Sequence, residues 1–177
     1  NRANPLTDAM SRAAIPMGLS ALNQLAQRES HQARDQMAFV SLCGGLCLAN
    51  SGLGAVHGLA GVIGGRLGAP HGLICGRLLG PVLEVNHAAL KRCNESTVRM
   101  DEVAGWIAAS LGVPRETAFA DLRQVLDNWG VAGLARWITS DTNLTEIAEE
   151  AAGSSSMRAN PCVLETDELV GIMRAAA

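Results

Sequence analysis

The chain contains no tyrosine, two phenylalanines and three tryptophans. It therefore lacks the aromatic platforms on which RNA-binding modules stack bases. Basic residues are few as well: 14 Lys and Arg stand against 17 Asp and Glu, for a net charge of -3. They do not cluster, which excludes a surface built to neutralise nucleic-acid phosphates. The five cysteines (Cys43, Cys47, Cys75, Cys93 and Cys162) are odd in number and form no C-x-x-C pair. That pattern argues against a zinc knuckle or a disulfide framework and suits a reducing, cytoplasmic compartment. Cys43 and Cys47 are four apart, share a helix face and read as small buried side chains. The opening "NRANPLTDAM" has no basic segment leading into an apolar one. It is expected to carry no signal peptide and to begin inside a longer protein.

The most conspicuous absence is of charge. From Met37 to Gly65, 29 residues contain no Asp, Glu, Lys or Arg. By hydropathy alone this resembles a membrane span, and the Gly54/Gly58 and Gly61/Gly65 spacings resemble helix-dimer motifs. Eight glycines, Asn50 and the absence of an aromatic belt oppose that reading. A helix buried on all sides within a helical domain is expected instead.

What is present is helical periodicity. Hydrophobic residues make up 48% of 177 residues, enough for one domain, 1–177, with a sizeable core. Asn4-Pro5 reads as a cap followed by a first-turn proline, with Asp8 close behind. The helix that follows contains Pro16, expected to kink it, and "RESHQARD" leads into the next. A helix from near His71 should run to "ALKR". Met100, Val103, Ile107 and Leu111 share one face, closed by Gly112. Leu122, Val125, Leu126 and Trp129 share another, closed by Gly130. "LTEIAEEAA" and "TDELVGIMRAAA" complete the set, the latter opened by Thr166 as a cap. Alternating strand patterns are lacking, so the fold class is all-α.

Two of the four histidines, His57 and His71, lie in "GAVHGLAGVIGGRLGAPHG". On one unbroken helix they would share a face but stand about 20 Å apart. Gly64-Gly65, Gly68 and Pro70 permit a reversal that would let both imidazoles reach one divalent ion. Gly58 and Gly72, which follow the two histidines, would leave room for an ion or a cofactor ring. Two buried histidines bonded to carbonyls would fit the same spacing, and two ligands alone are too few for a catalytic site. His31 and His87 sit in polar surroundings and read as solvated.

The stretch "NSGLGAVHGLAGVIGGRLGAPHGLICGRLLGPVLEVN", Asn50 to Asn86, resembles the signature of the iron-containing, group III alcohol dehydrogenases, including their maleylacetate reductase-like branch. "ANPLTDAM" and "SSMRANPCVLETDELVGIMRAA" resemble flanking segments of the same family. The resemblance implies a multi-helical C-terminal metal-binding domain of a two-domain, dehydroquinate synthase-like dehydrogenase. Its N-terminal α/β NAD(P)-binding domain is expected to be absent here, since no G-x-G-x-x-G follows a strand.

It also implies that His57 and His71 are two ligands of a divalent metal, Fe²⁺ or Zn²⁺, and that His71 borders the NAD(P) site. An Asp and a further His from outside this chain would complete the set. The implied substrate is a small alcohol, aldehyde or keto acid, with no nucleic-acid or membrane partner. Leu48, Gly61 and Ser156 fall at positions similar to substrate-pocket positions, although core packing explains Leu48 and a helix cap Ser156 equally well. Gly61 departs from the family, where many members carry a histidine. As an isolated half-site the chain is expected to be inactive, to bind metal weakly and to self-associate through apolar surface left uncovered. The alternatives are a helical interaction module with structural histidines, and a membrane-associated bundle.

Overall fold

The computed structural model describes residues 2–177, and among them every regular element is helical. The α-helices are α1 (Pro5–Gln27), α2 (His31–Ser51), α3 (Ala55–Leu67), α4 (His71–Arg92), α5 (Val98–Leu111), α6 (Ala118–Asn128), α7 (Leu144–Ala152) and α8 (Thr166–Ala176). Short 3₁₀ turns occupy Arg115–Thr117, Leu134–Arg136 and Met157–Ala159. The all-α expectation is met, and the helix from His71 ends at Arg92 as the periodicity suggested. The chain divides into two compact units, one of residues up to 52 with 98–118, the other of 53–97 with 119–177.

The first unit contains α1, α2 and α5. Asn4 caps α1: its Oδ1 accepts from the backbone N–H groups of Leu6 and Thr7, and Thr7 Oγ1 accepts from Asn4 N–H. Together these bonds satisfy donors that a helix start leaves unpaired. The helix continues through Pro16 to Gln27. Ser30 then caps α2 by accepting from Ala33 N–H. Glycine lets α1 and α2 pack closely, since a Cβ at Gly18 would stand 3.1 Å from Val40 Cγ1. Ion pairs tie α5 to α1, with Arg99 2.7 Å from Asp8 and Arg12 3.0 Å from Glu102.

The second unit holds the large core. Leu59 and Ile63 of α3, Ile74 and Leu78 of α4, Ile147 of α7, and Leu169, Ile172 and Met173 of α8 are all almost wholly enclosed. Burial of each such side chain contributes about 1.5–3 kcal/mol to stability. The buried Arg77 is neutralised and satisfied: it pairs with Asp127 at 2.7 Å and donates to the carbonyls of Ala132 and Val131. A buried guanidinium needs both services.

Two expectations change. The charge-free run is not one enclosed helix: it breaks at residues 52–54, where Gly52 takes a positive φ of 78°. Its α2 part exposes Phe39, Leu42, Leu46 and Leu48, whereas its α3 part buries Ala55, Leu59, Ala60, Val62 and Ile63. No single helix among the described residues is long and apolar enough to cross a membrane. Thr166 does not cap α8. It is the first helical residue, and Glu165 is the cap, in a box where Glu165 N–H donates to Glu168 Oε2 at 2.8 Å. A carboxylate in that place also suits the positive end of the helix dipole.

Candidate metal centre

The site is made by the link between α3 and α4, within the second unit. The ten residue steps from His57 to Leu67 advance about 15 Å along α3. Four Cα steps from Leu67 to His71 reach at most about 15 Å, so the chain must turn back at once for the two side chains to meet. The local sequence provides it. Gly68 closes α3 in the left-handed region (φ 68°, ψ 18°), with its N–H bonded to Gly64 carbonyl. A side chain there would be strained, which accounts for glycine. Pro70 is extended (φ -61°, ψ 126°), and α4 begins at His71. The return path is visible at Gly64, where an added Cβ would meet Ala69 carbonyl oxygen at 3.7 Å and Ile74 Cδ1 at 3.6 Å.

As a result the His57 and His71 rings meet, with centroids 5.6 Å apart and planes at 53°. Cys75, one turn along α4, places its Sγ 3.4 Å from His71 Nε2. One donor atom from each of the three residues falls within 4.8 Å of the other two. Among the described residues this is the one cluster of three or more His, Cys, Asp or Glu donors close enough to share an ion, and it includes no carboxylate. His57 is half-buried and His71 exposed. Burial pushes the His57 pKa down, and the neighbouring His71 lowers it further. Burial also pushes the Cys75 thiol up, so the metal-free cysteine is protonated. Neutral imidazoles and a latent thiolate are a donor set suited to a borderline-soft divalent ion.

The start of α3, which carries His57, is pinned by a buried amide pair. Asn86 Nδ2 donates to Asn160 Oδ1 at 3.1 Å, and Asn160 Nδ2 donates to Asn86 Oδ1 at 2.7 Å. Asn160 Oδ1 also accepts from Ala55 N–H at 3.1 Å, the first helical residue of α3. Gly54 is needed here, because a Cβ would stand 3.1 Å from that oxygen. Asn160 was invisible as a positioning residue in the sequence, where it is one polar side chain in "MRANP".

The remaining candidates are dispersed. Gly61 lies one turn after His57 and is exposed, with open space where a side chain would be. Leu48 is an exposed residue of α2 in the other unit. Ser156 is half-buried before the Met157–Ala159 turn and makes no capping bond; Ser154 Oγ does, accepting from Met157 N–H at 3.1 Å. Of the two glycines beside the histidines, one differs from expectation. Gly72 is open, but Gly58 is buried, and a Cβ there would lie 3.0 Å from Met157 Cε and 3.2 Å from Ser154 Oγ. Gly58 therefore admits a protein side chain and not a ligand. His87 is not simply solvated, since its ring meets Phe119 edge-on at 5.9 Å, whereas His31 is exposed as expected.

With this geometry in hand, similarity to known proteins is informative. The chain matches the "Fe-containing alcohol dehydrogenase family, C-terminal" over residues 1–177. It is 33% identical over 124 residues to alcohol dehydrogenase 4 of Schizosaccharomyces pombe, covering 70% of this chain and 28% of that one. It is 30% identical over 178 residues to 1,3-propanediol dehydrogenase of Klebsiella pneumoniae, covering 98% of this chain and 45% of that one. The crystal structure of a 1,3-propanediol oxidoreductase superposes with a TM-score of 0.84 at 28% identity, over 100% of this chain and 47% of that chain. The chain thus spans less than half the length of these relatives. It belongs to the iron-containing alcohol dehydrogenase family, of which it carries the C-terminal all-α part.

Proposed function

We propose that this chain is the metal-binding domain of an NAD(P)-linked dehydrogenase that interconverts a small alcohol with an aldehyde or keto acid, with His57 and His71 as two metal ligands. The observation that carries the proposal is the meeting of the two imidazoles, 5.6 Å between centroids, across a link whose glycine and proline force the return. The relatives named above are dehydrogenases of alcohols, which supports the same class of substrate. A divalent ion bound there supplies Lewis-acid polarisation of the substrate oxygen.

The chain's own residues do the rest of this domain's work. His57 is held neutral by burial and by His71, so it offers a lone pair and not a positive charge. The Asn86–Asn160 pair fixes the start of the helix that bears it, as supporting shells commonly do for ligands. Exposed His71 borders the space for the nicotinamide ring. The open position at Gly61 means that proton movement on that side of the pocket runs through water or another group. Ser156 is assigned only a peripheral part in the substrate pocket. The cofactor domain lies outside this chain, the protein acts in the cytoplasm, and copies self-associate.

The test is metal content and turnover of the intact protein. It should hold about one divalent ion per active site, and His57→Ala with His71→Ala should abolish both metal and NAD(P)-dependent activity. Undiminished activity in that double variant would overturn the proposal.

A further inference from the structure

The two histidines leave Cys75 without a role. Its position is chemically specific: it follows His71 by one helical turn, so the two side chains share a face of α4. Its Sγ stands 3.4 Å from His71 Nε2. Zinc–thiolate bonds of about 2.3 Å and zinc–imidazole bonds of about 2.0–2.1 Å, at a tetrahedral angle, hold sulfur and nitrogen about 3.6 Å apart. The pair therefore already has the spacing of two donors on one ion. The third donor, from His57, lies within 4.8 Å of both. Gly72 and Gly76, on either side along α4, present open space. Cys75 also differs from Cys43, which is enclosed in a helix contact as a small apolar side chain.

We propose that Cys75 is a third metal ligand, so that His57, His71 and Cys75 hold a thiophilic divalent ion of the Zn²⁺ class from within this chain. The proposal rests on the reading of His57 and His71 as ligands. It revises the expectation of a two-donor half-site, since α3 and α4 then supply three donors of the set. On binding, the thiol S–H bond breaks and a sulfur–metal bond forms, with the proton released to solvent. Thiolate ligation also biases the site from Fe²⁺ toward softer ions.

Cobalt substitution tests this on the intact protein, using Co²⁺ alone as the probe. Wild type should show visible ligand-field bands together with a near-ultraviolet thiolate-to-cobalt band. Cys75→Ser should remove the near-ultraviolet band and weaken binding by at least the roughly 10–100-fold that loss of a supporting contact costs. Cys75→Ala should behave alike, and surviving ligand-field bands in either variant show that the site still folds. In a pH-stat, wild type should release about one more proton per metal than Cys75→Ser. A wild-type spectrum with ligand-field bands only, unchanged by Cys75→Ser, overturns the thiolate and leaves the histidines standing. Co²⁺ binding unaffected by His57→Ala and His71→Ala overturns the histidine reading itself.

Discussion

The two units bury surface with different residues. The second unit encloses branched aliphatics in one cluster, among them Leu59, Ile63, Ile74, Leu78, Leu134, Ile147 and Ile172. The first unit buries mostly small side chains, Ala14, Ala21, Ala33, Cys43 and Ala104, with Ile107 as its one large member among the described residues. It meanwhile exposes Leu6, Leu22, Phe39, Leu42, Leu46 and Leu48. Its helices approach through Gly18 and are tied at the surface by Asp8–Arg99 and Arg12–Glu102. The metal-site donors all stand on α3 and α4, the helices with the deep core beneath them. Donors that must share one ion need rigid support, and a dense aliphatic core supplies it.

The largest expected effect tests that contrast directly. Ile63→Ala should destabilise by about 2–5 kcal/mol, the range for emptying a fully enclosed aliphatic site. Leu42→Ala, on the exposed face of α2, should stay within about 0.5 kcal/mol. Urea denaturation of both variants decides it. Equal losses would mean that Leu42 is covered in solution and that the two units are not built differently.

A pair of glycine substitutions should give effects of opposite sign. A Cβ at Gly80, on α4, would stand 2.7 Å from Phe119 carbonyl oxygen, and backbone cannot move aside as a side chain can. Gly80→Ala should therefore destabilise by about 1–3 kcal/mol, as overpacking does. Gly44, in the middle of α2, has nothing within 4 Å of an added Cβ. Gly44→Ala should stabilise by about 0.5–1 kcal/mol through helix propensity alone. A destabilised Gly44→Ala variant would show that the exposed face of α2 is packed against something.

Much of this was legible in the sequence, for identifiable reasons. Caps, terminal glycines and 3.6-residue periodicity are local signals, so α1, α4, α5, α6 and α7 could be drawn from them. The meeting of His57 and His71 was also readable, because Gly68 and Pro70 act on their own few residues. The failures share a cause. Whether Gly58 faces a ligand or Met157 depends on a residue 99 positions away. Whether the charge-free part of α2 is enclosed depends on its neighbours and not on its own apolar composition. Asn160 positions α3 by reaching Ala55, 105 residues distant. Cys75 was legible as an i+4 partner of His71, but cysteine in an apolar helix carries the same signal when it merely packs.

The smallest expected effect concerns charge. Asp8 in the first unit has its carboxyl held below the usual range, chiefly by hydrogen bonds from Arg99. Glu168 in the second is lowered likewise, chiefly by Arg92. A carboxylate lowered in the folded state adds stability that is full above its unfolded value, about 4, and drains as the pH falls through the folded value. Both units should thus weaken in acid, but not to the same degree. The first unit has little large-side-chain core to fall back on, so its acid transition should come at the higher pH. Trp106 lies in α5 of that unit, while Trp129 and Trp137 lie in the other. Fluorescence of variants that keep only one set of tryptophans would follow the two transitions separately. Asp8→Asn should flatten the acid dependence seen by Trp106 and leave that seen by Trp129 and Trp137 unchanged, and added salt should mimic the substitution. Coincident transitions with both sets of probes, unaffected by Asp8→Asn, would mean that the two units unfold as one and that the surface pairs of the first contribute nothing measurable.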